Sequence, residues 1–311
     1  MTSLVPVGRK VRTKVPATSA NLGPGFDTLG LALSYYDELE AEAVAEPGIR
    51  FEIEGYGVGE VPTDETNLVA QAMIHAFKQV GQEVPGLNIR ANNRIPHSRG
   101  MGSSGAAIVA GIMVAKGMLE GIAEFDDALL LGLATDLEGH PDNVAPALFG
   151  GLTIAWTEAN GPYYKKLTVH RGVFPLVLVP QAKMSTKLAR SLQPDTVPHE
   201  DAIFNVSRSS LLIAALIQSP ELLLSGTEDR LHQNYRESAM PETLELVKIL
   251  RQEGHAAVVS GAGPSVLVLS PDPGQRQEAA ELAARHADNW QALMVAVDVK
   301  GATVVPVPVV N

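Results

Sequence analysis

Arg94-Ile-Pro-His-Ser-Arg-Gly-Met-Gly-Ser-Ser-Gly-Ala-Ala107 is a small-residue loop that runs straight into an apolar stretch ending near Leu119. That stretch reads as a helix over residues 103–119. Its first turn then presents N–H groups with no intrahelical partner, a ready place for an anion. Ser103 and Ser104 stand at the helix start, where a hydroxyl can cap the helix, touch phosphate or ligate magnesium. Gly100, Gly102 and Gly105 also match the dinucleotide-binding spacing G-x-G-x-x-G. That motif needs a strand ending at its first glycine and an acid ~20 residues on, after a second strand. Here Pro96 and His97-Ser-Arg99 intervene, and the following element is helical. No G-x-x-x-x-G-K-[ST] occurs, so the P-loop pattern is excluded.

Upstream, residues 11–15, 29–33, 40–44, 50–54 and 87–91 read as short strands, with 50–54 (Arg-Phe-Glu-Ile-Glu) alternating cleanly. Thr63-Asp64-Glu65 offers a helix start, and Leu68, Ala72, Ala76 and Val80 follow at helical spacing. Downstream, a helix is expected over 124–138 and a return strand over 152–156. The second half carries a buried strand at 174–180, helices near 201–218, 241–253 and 274–287, and a late strand at 293–298. Val258-Val259 and residues 266–269 flank a glycine turn. Strands and helices do not alternate strictly, which predicts two α+β lobes rather than a doubly wound sheet. The boundary is drawn at 160, giving lobes 1–160 and 161–311.

Composition narrows the function classes. The 311 residues contain no cysteine, which removes disulfides, thiolate metal sites and a cysteine nucleophile together. A net charge of −11 argues against a nucleic-acid surface, though not against a nucleotide held by backbone amides. The N-terminal residues lack an apolar segment of signal length, and the most apolar stretch, 106–114, is too short to span a bilayer. A cytoplasmic protein without a membrane or nucleic-acid partner is therefore expected.

Two further loops share the glycine-rich character of the first. Val15-Pro-Ala-Thr-Ser-Ala-Asn-Leu-Gly-Pro-Gly-Phe-Asp27 brings Asn21 and Asp27 across a tight turn. They could converge on a polar ligand, or simply cap the turn. Ser260-Gly-Ala-Gly-Pro-Ser265 lies between two valine-rich strands and is a hairpin turn in isolation. Together, three such loops can line one cleft.

These segments resemble the three ordered motifs of the GHMP kinases, a superfamily of two-lobed α+β enzymes with the active site in the cleft between lobes. Asn21-Leu-Gly-Pro-Gly-Phe-Asp27 and Glu138-Gly-His-Pro-Asp-Asn-Val-Ala-Pro146 resemble the homoserine kinase form. The resemblance runs from about residue 11 to 298 in order. Met101 and Gly105 depart from the usual Gly-Leu-Gly-Ser-Ser-Ala; one swap is nearly volume-neutral and the other adds room.

The resemblance implies phosphoryl transfer from ATP to the hydroxyl of L-homoserine, in threonine biosynthesis. By the same resemblance, Gly100, Met101, Gly102, Ser103, Ser104, Gly105 and Ala106 wrap the ATP phosphates, with Asn67 and Pro96 on the nucleotide side. Ser104 and Glu138 hold Mg²⁺ and count with Asn143 as catalytic; Asn143 orients the acceptor hydroxyl, and the role of Asp142 stays open. Asn21, Asp27, His140, Arg190 and Arg236 bind the acceptor. Asp27 suits its ammonium and the two arginines its carboxylate, with forked geometry. Relatives of this kind are often dimers, so a homodimer fits the resemblance. A GHMP kinase for mevalonate or shikimate, or a silent ATP- or amino-acid-binding sensor, are the competing readings.

Overall fold

The computed structural model describes residues 4–308. The chain opens with strands β1 (Lys10–Ala20), β2 (Leu29–Val44) and β3 (Ile49–Gly55), then helix α1 (Leu68–Gln79), β4 (Gly86–Asn93) and α2 (Ser103–Met118). It continues through α3 (Asp127–Glu138), α4 (Pro141–Phe149), the hairpin β5 (Leu152–Glu158) and β6 (Gly161–Leu167), and β7 (Phe174–Val179). Helices α5 (Thr186–Ser191), α6 (His199–Ile217), α7 (Leu223–Gly226) and α8 (Pro241–Gln252) follow. The chain closes with β8 (Ala256–Val259), β9 (Val266–Ser270), α9 (Pro273–His286), β10 (Gln291–Met294) and β11 (Thr303–Pro306).

Seven strands form the larger sheet, in the order β11-β1-β2-β4-β3, with the β5–β6 hairpin branching from β2. β2 carries the branch: its first residues pair with β5 and Glu38–Val44 pair with β4, while β1 runs antiparallel along most of its length. Alternation decides the faces. In β1, Val11, Thr13 and Val15 point into the core; Lys10, Arg12 and Lys14 point out and pair with Glu38 and Glu40 of β2. The inner face is covered by α2, whose residues from Ala106 to Met118 are nearly all buried, with α1 packed against it.

The smaller sheet is antiparallel throughout, in the order β10-β7-β9-β8. Its central strands are buried on both faces. Leu176, Leu178, Val259, Val266 and Val268 pack with α8 and α9, while Val177, Val179, Val258, Leu267 and Leu269 join the main core beside α6. This explains the unbroken apolar runs of β7 and β9. The result is a two-lobed α+β fold with a cleft between the sheets.

Several expectations need correction. The two short strands at 29–33 and 40–44 are one long β2. Helix α1 begins at Leu68, not at 63–65, because Asn67 is its N-cap and Asp64 instead caps a turn at Thr66. α3 begins at Asp127 behind an Asp126 cap. The expected strand at 293–298 ends at Met294, after which Val297 makes only a single bridge to Leu33. The boundary at 160 falls inside the β5–β6 hairpin, and both β6 and β11 belong to the larger sheet.

Candidate active site

The three glycine-rich loops meet at one cleft. The fit is close enough to exclude side chains. A Cβ on Gly100 would fall 2.1 Å from the Ser260 carbonyl oxygen, and one on Gly102 would fall 2.0 Å from Thr18 Oγ1. Both glycines also sit at φ of 70°, where other residues are strained. Ser260 Oγ donates to the Gly100 carbonyl at 2.6 Å and lies 2.9 Å from Ser19 Oγ. The turn at 260–265 thus buttresses the loop before α2.

No side chain caps α2 at Gly102, and its first intrahelical bond runs from Ala106 N to Gly102 O. The N–H groups of Ser103, Ser104 and Gly105 precede that bond, which makes this end an anion cradle. Across the cleft, α3 ends at Glu138, whose Oε2 accepts a hydrogen bond from Ser104 Oγ at 3.0 Å. A carboxylate at a helix C-terminus opposes the helix dipole. Burial pushes the Glu138 carboxyl above the usual range, offset in part by the Ser104 hydroxyl and by nearby His140. Among the described residues no group of three or more His, Cys, Asp or Glu side chains gathers as a metal cage. One carboxylate and one hydroxyl beside an anion cradle fit a hard cation that takes its other oxygens from phosphate and water.

The far wall carries the acceptor candidates. Asn21 Nδ2 donates to the Gly261 carbonyl at 2.8 Å, and Asn21 Oδ1 accepts from Asp27 N at 2.9 Å. The Asp27 carboxylate is gripped by both terminal nitrogens of Arg190 at 3.0 and 3.3 Å. Arg236 is only 2% exposed; it donates to the Gly261 carbonyl at 3.2 Å and leaves its Nε without a partner. Burial brings its pKa down to about 10, with Asp27 and Asp229 opposing the fall. His140, the residue before α4, bonds through Nδ1 to the buried carboxylate of Asp142. That bond raises the imidazole pKa against the effect of burial. Asn143 accepts from Thr18 Oγ1 through its Oδ1 at 3.0 Å, which leaves its amide N–H groups for the cleft.

A second, more apolar hollow continues from the cleft past Ser98, Ser103 and Ser104. Leu39, Phe51, Ile53, Val61 and Pro62 line it, with Asn67 and Ala106 on its wall. Asn67 is buried, its Oδ1 capping Val69 N and its Nδ2 donating to the Pro62 carbonyl. Both of its polar ends are therefore engaged in shaping the wall. Pro96 and Met101 are buried and do not line the cleft or this hollow; Met101 contributes its carbonyl to Thr18 N. Gly105 also lies off the cleft wall, where a Cβ would meet Val144 and Asn143 at ordinary contact distances.

Sequence reading missed Thr18, Ser260 and the carbonyl of Gly261 as site-building groups. All lie inside segments quoted above, yet Asn143, Asn21 and Gly100, which they engage, are 125 residues or more away along the chain. It also missed Ser185, Thr186 and Ala189, which line the cleft from the start of α5.

Comparisons with known proteins bear on the family and the fold. The family models for the GHMP kinases N terminal domain and C terminal match residues 67–151 and 212–289. A homoserine kinase of Clavibacter michiganensis subsp. michiganensis is 68% identical over 98% of this chain and 96% of its own. The crystal structure of homoserine kinase from Cytophaga hutchinsonii superposes with a TM-score of 0.86 at 26% identity, covering 95% of this chain and 97% of that one. A mevalonate kinase from L. major, in complex with R-mevalonate, shares the fold at a TM-score of 0.72 and 16% identity, covering 96% and 100%.

Proposed function

The chain belongs to the homoserine kinases of the GHMP kinase family, and we propose that its cleft transfers the γ-phosphoryl group of ATP to the hydroxyl of L-homoserine. The product is O-phospho-L-homoserine, a step of threonine biosynthesis, and the reaction is assigned to the cytoplasm. The observation that carries the reading is the charge layout. A paired acid and arginine, Asp27 and Arg190, lie beside a buried second arginine, Arg236, opposite the Ser104–Glu138 pair. A zwitterionic alcohol matches the first set and a magnesium-bound nucleotide the second.

In this reading the adenine enters the apolar hollow walled by Phe51, Ile53 and Pro62, and the phosphates cross the first turn of α2. Ser104 and Glu138 would hold Mg²⁺, which when bound neutralises charge on the phosphate oxygens. The ammonium of homoserine faces Asp27 and its carboxylate faces Arg190 and Arg236. Asn21 and His140 complete the acceptor wall. The hydroxyl oxygen attacks the γ-phosphorus, the bond to the bridging oxygen breaks, and ADP leaves with that electron pair. Asn143, fixed by Thr18, orients the attacking hydroxyl through its amide N–H. The transition state is loose, so the hydroxyl proton leaves late, to a phosphoryl oxygen, without a strong base. Asp142 fits that account because His140 already occupies its carboxylate.

The test is ADP release with Mg²⁺-ATP and a panel of L-homoserine, L-threonine, L-serine, mevalonate and shikimate. Turnover should be strongest with L-homoserine. Preference for mevalonate or shikimate would overturn the acceptor assignment and keep the kinase; silence with all five would overturn both.

A further inference from the structure

We infer that His232 is a positioning residue for the acceptor site, acting through the loop that carries Asn21 and Asp27. The inference rests on the homoserine kinase reading and names a group outside the cleft. His232 is fully buried and lies on the segment between Asp229 and Arg236. Its Nε2 sits 2.7 Å from the carbonyl oxygen of Gly23, more than 200 residues earlier in sequence. Its ring stacks on Phe26 at a centroid distance of 4.7 Å and an interplanar angle of 11°. One side chain therefore holds the acceptor loop at two points, Gly23 and Phe26, both between Asn21 and Asp27.

The loop requires such a hold. Asn21, Leu22 and Asp27 have φ values of 70°, 51° and 52°, a region that side-chain-bearing residues enter at a cost. That conformation persists only where surrounding contacts over-determine it. Gly23 is pressed on the other side by the Thr227 carbonyl, 2.5 Å from where a Cβ would stand. His232 is itself anchored. Asp229 accepts from the backbone N–H groups of Leu231, His232 and Gln233 and from Asn205 Nδ2. Gln233 Oε1 accepts from Val259 N on β8. The His232 carbonyl accepts from Gln193 Nε2, just beyond the helix that carries Arg190. Both halves of the acceptor charge pair thus refer to the same residue.

Geometry also fixes the tautomer. The Gly23 carbonyl can only accept, so the proton is on Nε2, and Nδ1 is buried with no partner. Burial lowers the imidazole pKa, with Arg236 adding to the fall and Asp229, the Gly23 hydrogen bond and Asp27 opposing it, a direction that favours the neutral ring. A neutral donor beside Arg236 fixes the loop without adding a charge to compete for the acceptor carboxylate.

The variants that test this are His232→Phe, which keeps the ring and loses the donor, and His232→Gln, whose amide can reach Gly23 and loses the ring. Steady-state kinetics of the full chain are measured in both substrates, with thermal melting alongside. His232→Phe is expected to raise KM for L-homoserine roughly five- to hundredfold, the scale of one buried hydrogen bond left unmade. KM for ATP should stay within about twofold, and His232→Gln should recover most of the loss. If both KM values rise together, or if melting falls in both variants while KM for L-homoserine holds, His232 is a structural residue only and the inference fails. Should the Phe variant not fold, His232→Asn, whose shorter amide falls short of Gly23, takes its place with the same two outcomes. Wild-type silence toward L-homoserine would instead remove the kinase reading, and the inference with it.

Discussion

Replacing Arg190 with alanine separates what its ion pair does for the fold from what it does for the acceptor. Arg190 and Asp27 meet through a fork of two hydrogen bonds at 3.0 and 3.3 Å, but their side chains are 42% and 39% exposed. Exposed pairs contribute only ~0.2–1 kcal/mol, because water screens both charges. For a chain of this size that corresponds to a fall in Tm of no more than about 4 °C. Binding is different. In the proposed reading, a bound zwitterion would take the guanidinium fork with its carboxylate, in a site closed by buried Arg236. A hydrogen bond to a charged group under those conditions is worth ~1.5–3 kcal/mol, or roughly a 10- to 150-fold rise in KM for L-homoserine. KM for ATP should be unaffected, since Arg190 faces the acceptor wall. Arg190→Lys, which keeps the charge and loses the fork, should fall between wild type and alanine. The assay is coupled ADP release at saturating ATP, with a melting curve on the same preparations. A KM for L-homoserine that stays within about twofold of wild type would refute the reasoning, as would a Tm loss large enough to make the pair structural.

Further outcomes follow from the same geometry. Glu138→Gln keeps an acceptor for the Ser104 hydroxyl and removes the charge, so turnover should fall by roughly 10²–10³ and the Mg²⁺ titration should shift upward; an unchanged titration would show that Glu138 holds no metal. Gly100→Ala places a Cβ against the Ser260 carbonyl at a positive φ and should cost about 1–3 kcal/mol, read as a lower Tm together with a raised KM for ATP. His232 also sets a pH dependence of stability. Its folded pKa is lowered, so between that value and the ordinary ~6.5 the unfolded chain binds the extra proton. Its contribution to unfolding free energy therefore decreases as pH falls through that window, and His232→Gln should show a shallower acid slope in denaturant titrations from pH 7 to 5; identical slopes would contradict the assignment.

The parts of this fold that were legible in sequence are those whose pattern is set locally. β3 declares itself by alternation, α2 by an apolar run behind glycines, and β7 by continuous burial. α4 leaves little local mark, because prolines such as Pro141 and Pro146 usually interrupt a helix. Yet Pro141 stands at the first helical position, where its missing N–H is no loss. β6 and β11 are half-exposed outer strands with a weak pattern, and only their partners β5 and β1 define them. The site divides the same way. Glycines, Ser104, Glu138 and Asp27 stand in recognisable linear order. What their loops rest on, from Thr18 to Ser260 and His232, depends on contacts between distant segments and left no local mark.

Those distant contacts bear on how the cleft could work without a dedicated base. The carbonyl of Gly261 receives Asn21 and Arg236 of the acceptor wall, while the carbonyl and hydroxyl of the preceding Ser260 press on and bond to Gly100 of the phosphate loop. One tight turn from the smaller lobe therefore sets the spacing between the group that would attack and the group that would be attacked. Thr18 adds a second tie, since its backbone N–H holds Met101 and its hydroxyl holds Asn143. Where orientation is fixed this directly, proximity alone can supply several kcal/mol of a barrier, and a loose phosphoryl transfer asks little more than charge neutralisation. Loosening the 260–265 turn should then lower kcat while both substrates still bind, whereas removing a proton acceptor such as Asp142 acts first through the His140 it orients.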